Sequence, residues 1–397
     1  MNRTLVWILG ALAAVLIGLL VWRGMTPQGN ASTPPAASEP LSPSPSPQPS
    51  PPASSESAED GASIRLTGAG SSFSYPLYTR MFQAYHEARG VQVNYQSIGS
   101  SGGQRQLLAQ TVDFAGTDAP VSEETEQEIP DGNAIVHIPT ELGAIVVIYN
   151  LEGLSEPLTF DGPTLARIFL GEIQNWNDPA IAALNEGATL PDLPITVVHR
   201  SDGSGSSFVF TDYLSSVSSE WESRVGRDTA PNWPVGLGGK GNEGIAGIVS
   251  QTPGAIGYVE LIYSLQNDIP NARIVNASGN AVAATLESVN AAAAGVEIPA
   301  DARVSIVNTP AENGYPIATY SWMILYRDQD YSGRSREHAQ ALVDLAAWMI
   351  SEGQQYTEPL DYARLPQNAV DRGIELLRTV NYAGEALYRE NSPAASP

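Results

Sequence analysis

From residue 64 onward the spacing of apolar positions switches repeatedly between two periods. Residues 63–67 read as a short strand. A helix follows, opened by Pro76 and carrying Leu77, Met81, Phe82 and Tyr85 as its apolar stripe until Gly90 stops it. Residues 91–98 alternate and predict a strand, and 104–110 a short helix. Residues 144–149 form an unbroken apolar run, expected of a buried parallel strand. Helices are predicted over 163–170, 206–217, 336–350 and 370–380, and strands over 195–199, 255–259 and 321–326. Strands alternating with helices predict an α/β fold with mainly parallel sheets.

The first 62 residues follow another pattern. Residues 5–22 are an uninterrupted apolar run of 18 behind Arg3. That length sits at the lower edge of a membrane span and slightly above the core of a signal peptide. Residues 1–25 are therefore expected to be a signal or a membrane anchor, with Met1 on the cytoplasmic side. Ten of the thirty prolines fall between Pro27 and Pro52, mixed with Ser and Ala. Such a stretch buries no core, so 26–62 is expected to be an extended linker. Together they predict an extracytoplasmic protein tethered to the cytoplasmic membrane.

Composition narrows the functions open to the rest. The chain has 397 residues and a net charge of −23, with 43 acidic and 20 basic residues. So acidic a surface lacks the basic footprint of a nucleic-acid binder. There is no cysteine, which removes disulfides, thiolate metal sites and a lipidated N-terminal cysteine. The four histidines are scattered without paired spacing, so neither a metal nor a cofactor is expected.

One chemical feature recurs. Residues 68–73 (GAGSSF), 99–103 (GSSGG) and 201–207 (SDGSGSS) each lie between a predicted strand and a predicted helix. Ligands of α/β sheets bind at that junction. Glycine admits a ligand close to the backbone, first-turn N–H groups are unpaired, and serine hydroxyls add donors. Any single loop of this kind also makes an ordinary helix cap. Three converging loops, with Arg200 beside one and Asp118 after an apolar strand, predict a cage for a small oxyanion. Because the chain is acidic, capture must rely on local donors in a water-excluded site.

At these loops the sequence resembles the phosphate-binding proteins of phosphate ABC transporters, a periplasmic binding protein family. The stretches that carry the likeness are TGAGSSFSYPLY, VNYQSIGSSGGQRQLLAQTVDFAGTDAP, FDGPTLARIFLGEIQNWND, VVHRSDGSGSSFVFTDYL and WPVGLGGKGNEGIAGIVSQTPGAIGYVE. The resemblance implies two lobes around a cleft, with lobe I over 64–139 and 314–390 and lobe II over 140–313. The chain would cross between lobes near 137–141 and 312–316. It implies a phosphate shell of Ser72, Phe73, Ser100, Asp118, Arg200, Ser204, Gly205 and Ser206. Ser71, Ser101, Thr117 and Asp202 are expected behind that shell, with Asp202 pairing the arginine. It also implies delivery to permease subunits by cleft closure, with no covalent chemistry.

The role of Asp118 has a physical reason. Phosphate near neutral pH keeps a proton and sulfate does not. A buried carboxylate accepts a hydrogen bond from the first and faces only acceptors on the second, where an unpaired polar group costs ~2–7 kcal/mol. Other readings stay open on residues alone. A binder of another oxyanion (sulfate, molybdate) or a surface phosphate sensor would use the same loops. Residues 99–103 also match G-x-S-x-G, the elbow of a serine hydrolase with Ser101 as nucleophile. Residues 236–241 match G-x-G-x-x-G but follow no clear strand, so a glycine-rich helix entry is expected there.

Overall fold

The computed structural model describes residues 64–389. The expected anchor (1–25) and the whole expected linker (26–62) lie outside them. Among the described residues no helix is long and apolar enough to cross a membrane.

One eight-stranded sheet organises the molecule. Its strands are β1 (Arg65–Gly70), β2 (Gln92–Ser97), β3 (Phe114–Thr117), β4 (Ile135–Tyr149), β5 (Thr196–Arg200), β6 (Leu237–Gly239), β7 (Ala255–Glu260) and β8 (Ala318–Tyr326). Their order is β2-β1-β3-β8-β4-β7-β5-β6. β1 runs parallel to β2 and β3, and β5 runs parallel to β6 and β7. These two parallel sets form the cores of two lobes. Between them β8 is antiparallel to β3 and β4, and β4 is antiparallel to β7.

The sheet is therefore mixed, which corrects the expectation of mainly parallel sheets. The run at 144–149 belongs to a strand antiparallel to both of its neighbours. A strand covered on both faces reads as continuously apolar whichever way its neighbours run, so the pattern could not give the direction.

β4 is longer than its apolar run suggested. Residues 135–144 pair with β8 and 145–149 with β7, so one strand serves both lobes. The expected crossing at 137–141 lies inside it. Pro139 pairs with Trp322 and Glu141 with Ser321, leaving Thr140 as an extra residue on β4. Such a bulge bends a strand, re-aims side chains and accommodates a proline.

Four helices start close to the ends of these strands. They are α1 (Tyr75–Arg89), α2 (Ser100–Leu108), α3 (Gly205–Val217) and α4 (Gly241–Gln251). α2 begins four residues before the predicted start, because Gly102 and Gly103 belong to it. A β-carbon at Gly103 would come 2.4 Å from the Ala69 carbonyl, so glycine there lets the helix sit on β1. Residues 236–241 follow no strand, as expected; the three-residue β6 lies inside them and leads into α4.

Candidate functional site

The chain leaves β1 through Ser71–Ser74 and enters α1. Ser71 is buried and its hydroxyl donates to Asp118 Oδ1 at 2.5 Å. Ser71 Oγ also accepts the N–H of Phe73 at 2.9 Å, so this loop is braced from within. Ser72 Oγ accepts from the backbone N–H and side-chain amide of Asn242, at 3.2 and 3.0 Å. Tyr263 donates to the Ser72 carbonyl and Tyr362 to the Phe73 carbonyl, at 2.7 and 2.5 Å. Loop one is thus held against α4, at the start of which Asn242 lies.

Ser100 opens α2 and is completely buried. Its hydroxyl oxygen accepts the N–H of Asp118 at 3.3 Å and that of Gly205 at 3.1 Å. One serine therefore joins loop two, the Asp118 turn and loop three. Ser101 lies beside this junction. Its N–H donates to the Gly203 carbonyl at 3.1 Å and its hydroxyl to Thr229 Oγ1 at 3.0 Å. The histidines are engaged or placed elsewhere: His137 accepts from Val121 N–H, His199 stacks on Trp233, His338 pairs with Asp113 and His86 is exposed. Nothing here makes Ser101 the nucleophile of a triad.

Asp118 follows β3 and is buried. Its Oδ1 accepts from both Ser71 and Ser321 Oγ, the latter at 3.0 Å. Thr117 supports the turn, its hydroxyl donating to the Ala119 carbonyl at 2.6 Å. Burial pushes the Asp118 carboxyl up to about 6, against the opposing pull of the Ser71 and Ser321 hydroxyls and the Arg200 charge. Near neutral pH the group is then a carboxylate, which can only accept hydrogen bonds.

Arg200 ends β5 and is also buried. Its Nε and Nη2 donate to the two oxygens of Asp202, at 2.8 and 2.5 Å. Burial alone would lower the guanidinium, but Asp202 outweighs it and holds it above its ordinary value. Burial alone would raise Asp202, but Arg200 and the Gly241 N–H outweigh that and hold it below the usual carboxylate range. Two of the five guanidinium N–H groups serve this pair and the others remain for a ligand.

Ser204 caps α3 by accepting the Ser207 N–H at 3.1 Å. Its hydroxyl oxygen is thereby turned to the helix. Gly205 sits where no side chain fits: a β-carbon would come 2.5 Å from both Asp118 Oδ2 and Ser100 Oγ. Ser206 Oγ accepts from the Asn242 amide at 3.4 Å.

The geometry thus brings the three loops, Asp118 and Arg200 to one place. It adds residues that sequence reasoning missed: Asn242, Ser321, Tyr263 and Glu141. Asn242 had a signal, since it lies just past a fourth glycine-rich strand–helix junction at 236–241. Ser321 and Glu141 had none, because they sit inside buried strands. The site offers hydroxyls, helix N-termini and one guanidinium as donors, and one carboxylate as acceptor. Among the described residues no cluster of three or more His, Asp or Glu is placed to hold a metal.

Known proteins share this arrangement of sequence and fold. The family model of the PBP superfamily domain matches residues 46–352. A phosphate-binding protein PstS of Xylella fastidiosa is 41% identical over 352 residues, 87% of this chain and 88% of the relative. The PstS of Pasteurella multocida is 40% identical over 310 residues, 77% of this chain and 88% of the relative. Among solved structures, a high affinity periplasmic phosphate-binding protein bound with phosphate has a TM-score of 0.62 at 19% identity, covering 78% of this chain and 92% of that one. A phosphate binding protein from Stenotrophomonas maltophilia has a TM-score of 0.60 at 18% identity, covering 82% and 96%. At such identities these structures speak for the fold alone. The sequence relationships go further, and they place this chain in the PstS family of phosphate-binding proteins.

Proposed function

We propose that the cleft captures inorganic phosphate outside the cytoplasm and that the protein hands it to the permease subunits of an ABC importer. The observation that carries the ligand choice is the buried Asp118 carboxylate set among donors. Every other polar contribution to the cleft suits any oxyanion, whereas a carboxylate suits one that keeps a proton. The chain is a solute-binding protein and not an enzyme, as its PstS relatives are binding proteins.

The phosphate shell would be Ser72, Phe73, Ser100, Asp118, Arg200, Ser204, Gly205 and Ser206, with Ser71, Ser101, Thr117 and Asp202 behind it. The backbone N–H of Ser206 would turn to the ligand, those of Phe73 and Gly205 would exchange the Ser71 and Ser100 hydroxyl oxygens for it, and Arg200 would add the only formal positive charge. Lobe I would take 64–139 and 314–390, and lobe II 140–313, with β4 as the shared strand. Ligand contacts from both lobes favour the closed arrangement, which a permease would then recognise. Residues 1–25 would tether the protein to the membrane, and 26–62 would let the folded part reach the permease.

Calorimetric titration with phosphate, sulfate and molybdate tests this reading. One-to-one phosphate binding at micromolar strength or better, about −8 kcal/mol, with sulfate silent, is the expected result. Heat from sulfate or molybdate and none from phosphate would keep the cage and overturn the ligand.

A further inference from the structure

The binding scheme leaves one buried acid without a role. Glu141 is completely buried, and neither carboxyl oxygen has a hydrogen-bond partner. It follows the extra residue of the β4 bulge and pairs in register with Ser321 of β8. Ser321 Oγ lies 3.0 Å from Asp118 Oδ1 and 2.9 Å from Ser74 Oγ. The hydroxyls of Ser74, Thr140 and Ser321 are the polar groups that act on the Glu141 carboxyl. A short row of hydroxyls therefore lies between the unpartnered acid and the carboxylate of the cleft.

The groups around Glu141 favour its acid form. Asp118 faces it from the turn after β3 and repels a second negative charge. Tyr78 faces it from α1, Tyr95 from β2 and Tyr362 from the segment beside Phe73, and burial keeps all three phenols protonated. Glu260 of β7 lies beyond Gly143, where a β-carbon would come 3.4 Å from its Oε1. Arg200 acts on Asp118 from the far wall. A partnerless carboxylate is costly in such surroundings, and burial pushes the Glu141 carboxyl up to about 7.

The hydroxyl row has a direction. When Glu141 is an acid it draws no proton from the row, so Ser74 can donate to Ser321 and Ser321 to Asp118. All the protons then point toward Asp118 and help it remain a carboxylate. An ionised Glu141 instead draws the Ser74 proton toward itself and reverses the row. Phosphate carries negative charge to the Asp118 side, which strengthens the pull of Glu141 for a proton.

We propose that Glu141 is a positioning residue that holds the compensating proton: phosphate capture drives it to the acid form, so that binding takes up a proton while Asp118 stays the ionised acceptor. This inference rests on the phosphate reading of the cleft.

Calorimetric titration with inorganic phosphate in buffers of different ionisation enthalpy counts the protons exchanged on binding. It is run about one pH unit above the Glu141 midpoint, where the free side chain is mostly ionised. The proton linkage of phosphate itself is common to wild type and Glu141→Gln, so the difference isolates Glu141. The wild type is expected to take up about half a proton more, or beyond, and its affinity to fall more steeply as pH rises. Equal proton counts in two binding-competent proteins would overturn the proposal. Should Glu141→Gln not fold, the phosphate-induced infrared difference spectrum of the wild type decides. A new protonated-carboxyl band that moves on carboxyl labelling of glutamate supports the proposal, and no band, or one that does not move, overturns it. A wild type that binds no phosphate would overturn the ligand reading, and this inference with it.

Discussion

Each wall of the cleft contributes an aspartate, Asp118 buried and Asp202 half-buried, and the two are held in opposite ways. On the wall built from β1 to β3, Asp118 is met by the hydroxyls of Ser71 and Ser321, and burial still leaves its carboxyl raised to about 6. On the wall built from β5 to β7, Asp202 is gripped by Arg200 through two hydrogen bonds, which hold its carboxyl low. The second wall thus presents a locked, nearly neutral pair with spare guanidinium donors. The first presents a carboxylate held by hydroxyls, with the Arg200 charge acting on it from the other wall. One wall grips any oxyanion and the other asks whether that oxyanion still has a proton.

The sharpest way to break this contrast is Arg200→Ala. It removes the cation and strands Asp202, and phosphate affinity is expected to fall by ~2–5 kcal/mol, the range for truncating one partner of a buried charge pair. Titration calorimetry reads it, and unchanged affinity would take Arg200 out of the site.

Asp118→Asn tests the other wall through stability without ligand. Below the unfolded carboxyl value of 3.8 both native and unfolded chains hold the proton, and Asp118 contributes nothing. As pH rises toward about 6 the unfolded chain gives it up first, so the native state loses stability. Above that the cost is constant, on the order of 3 kcal/mol for a shift of about two units. The amide variant is therefore expected to be more stable than wild type at neutral pH, with the gain vanishing in acid. Urea unfolding at several pH values checks it. A gain independent of pH would contradict the account.

Gly205→Ala probes where the walls meet. A β-carbon there would crowd Asp118 Oδ2 and Ser100 Oγ at 2.5 Å, so phosphate binding is expected to weaken by about 1–3 kcal/mol, as overpacking does. Asn242→Ala is expected to cost less, ~1 kcal/mol for the hydrogen bonds it gives to Ser72 and Ser206. Competition binding ranks the two, and the reverse order would mean that Asn242 touches the ligand directly.

The two walls were not equally legible in the sequence. Serine and glycine at strand–helix junctions have a backbone reason to be there, so the three loops, Arg200 and Asp118 could be picked out before any coordinates. The layer behind Asp118 could not. Glu141 and Ser321 are 180 residues apart and meet only through β4–β8 pairing. The Thr140 bulge that aims Glu141 leaves no trace in hydrophobic alternation. Pro139 and Glu141 made the first half of β4 look unlike a strand, and its buried apolar half concealed which way its neighbours ran. Asn242 was hidden differently: it stands near the start of α4, but a three-residue strand before it was too short to mark the junction.

The central claim is that Asp118 reads the proton of the ligand, and selectivity tests it most directly. Phosphate and sulfate affinities would be measured by calorimetry for wild type and Asp118→Asn under one buffer. An amide can donate as well as accept, so the variant is expected to lose at least about tenfold of the preference for phosphate, ~1.4 kcal/mol. A preference that survives the substitution intact would contradict the account and place the discrimination elsewhere in the cleft.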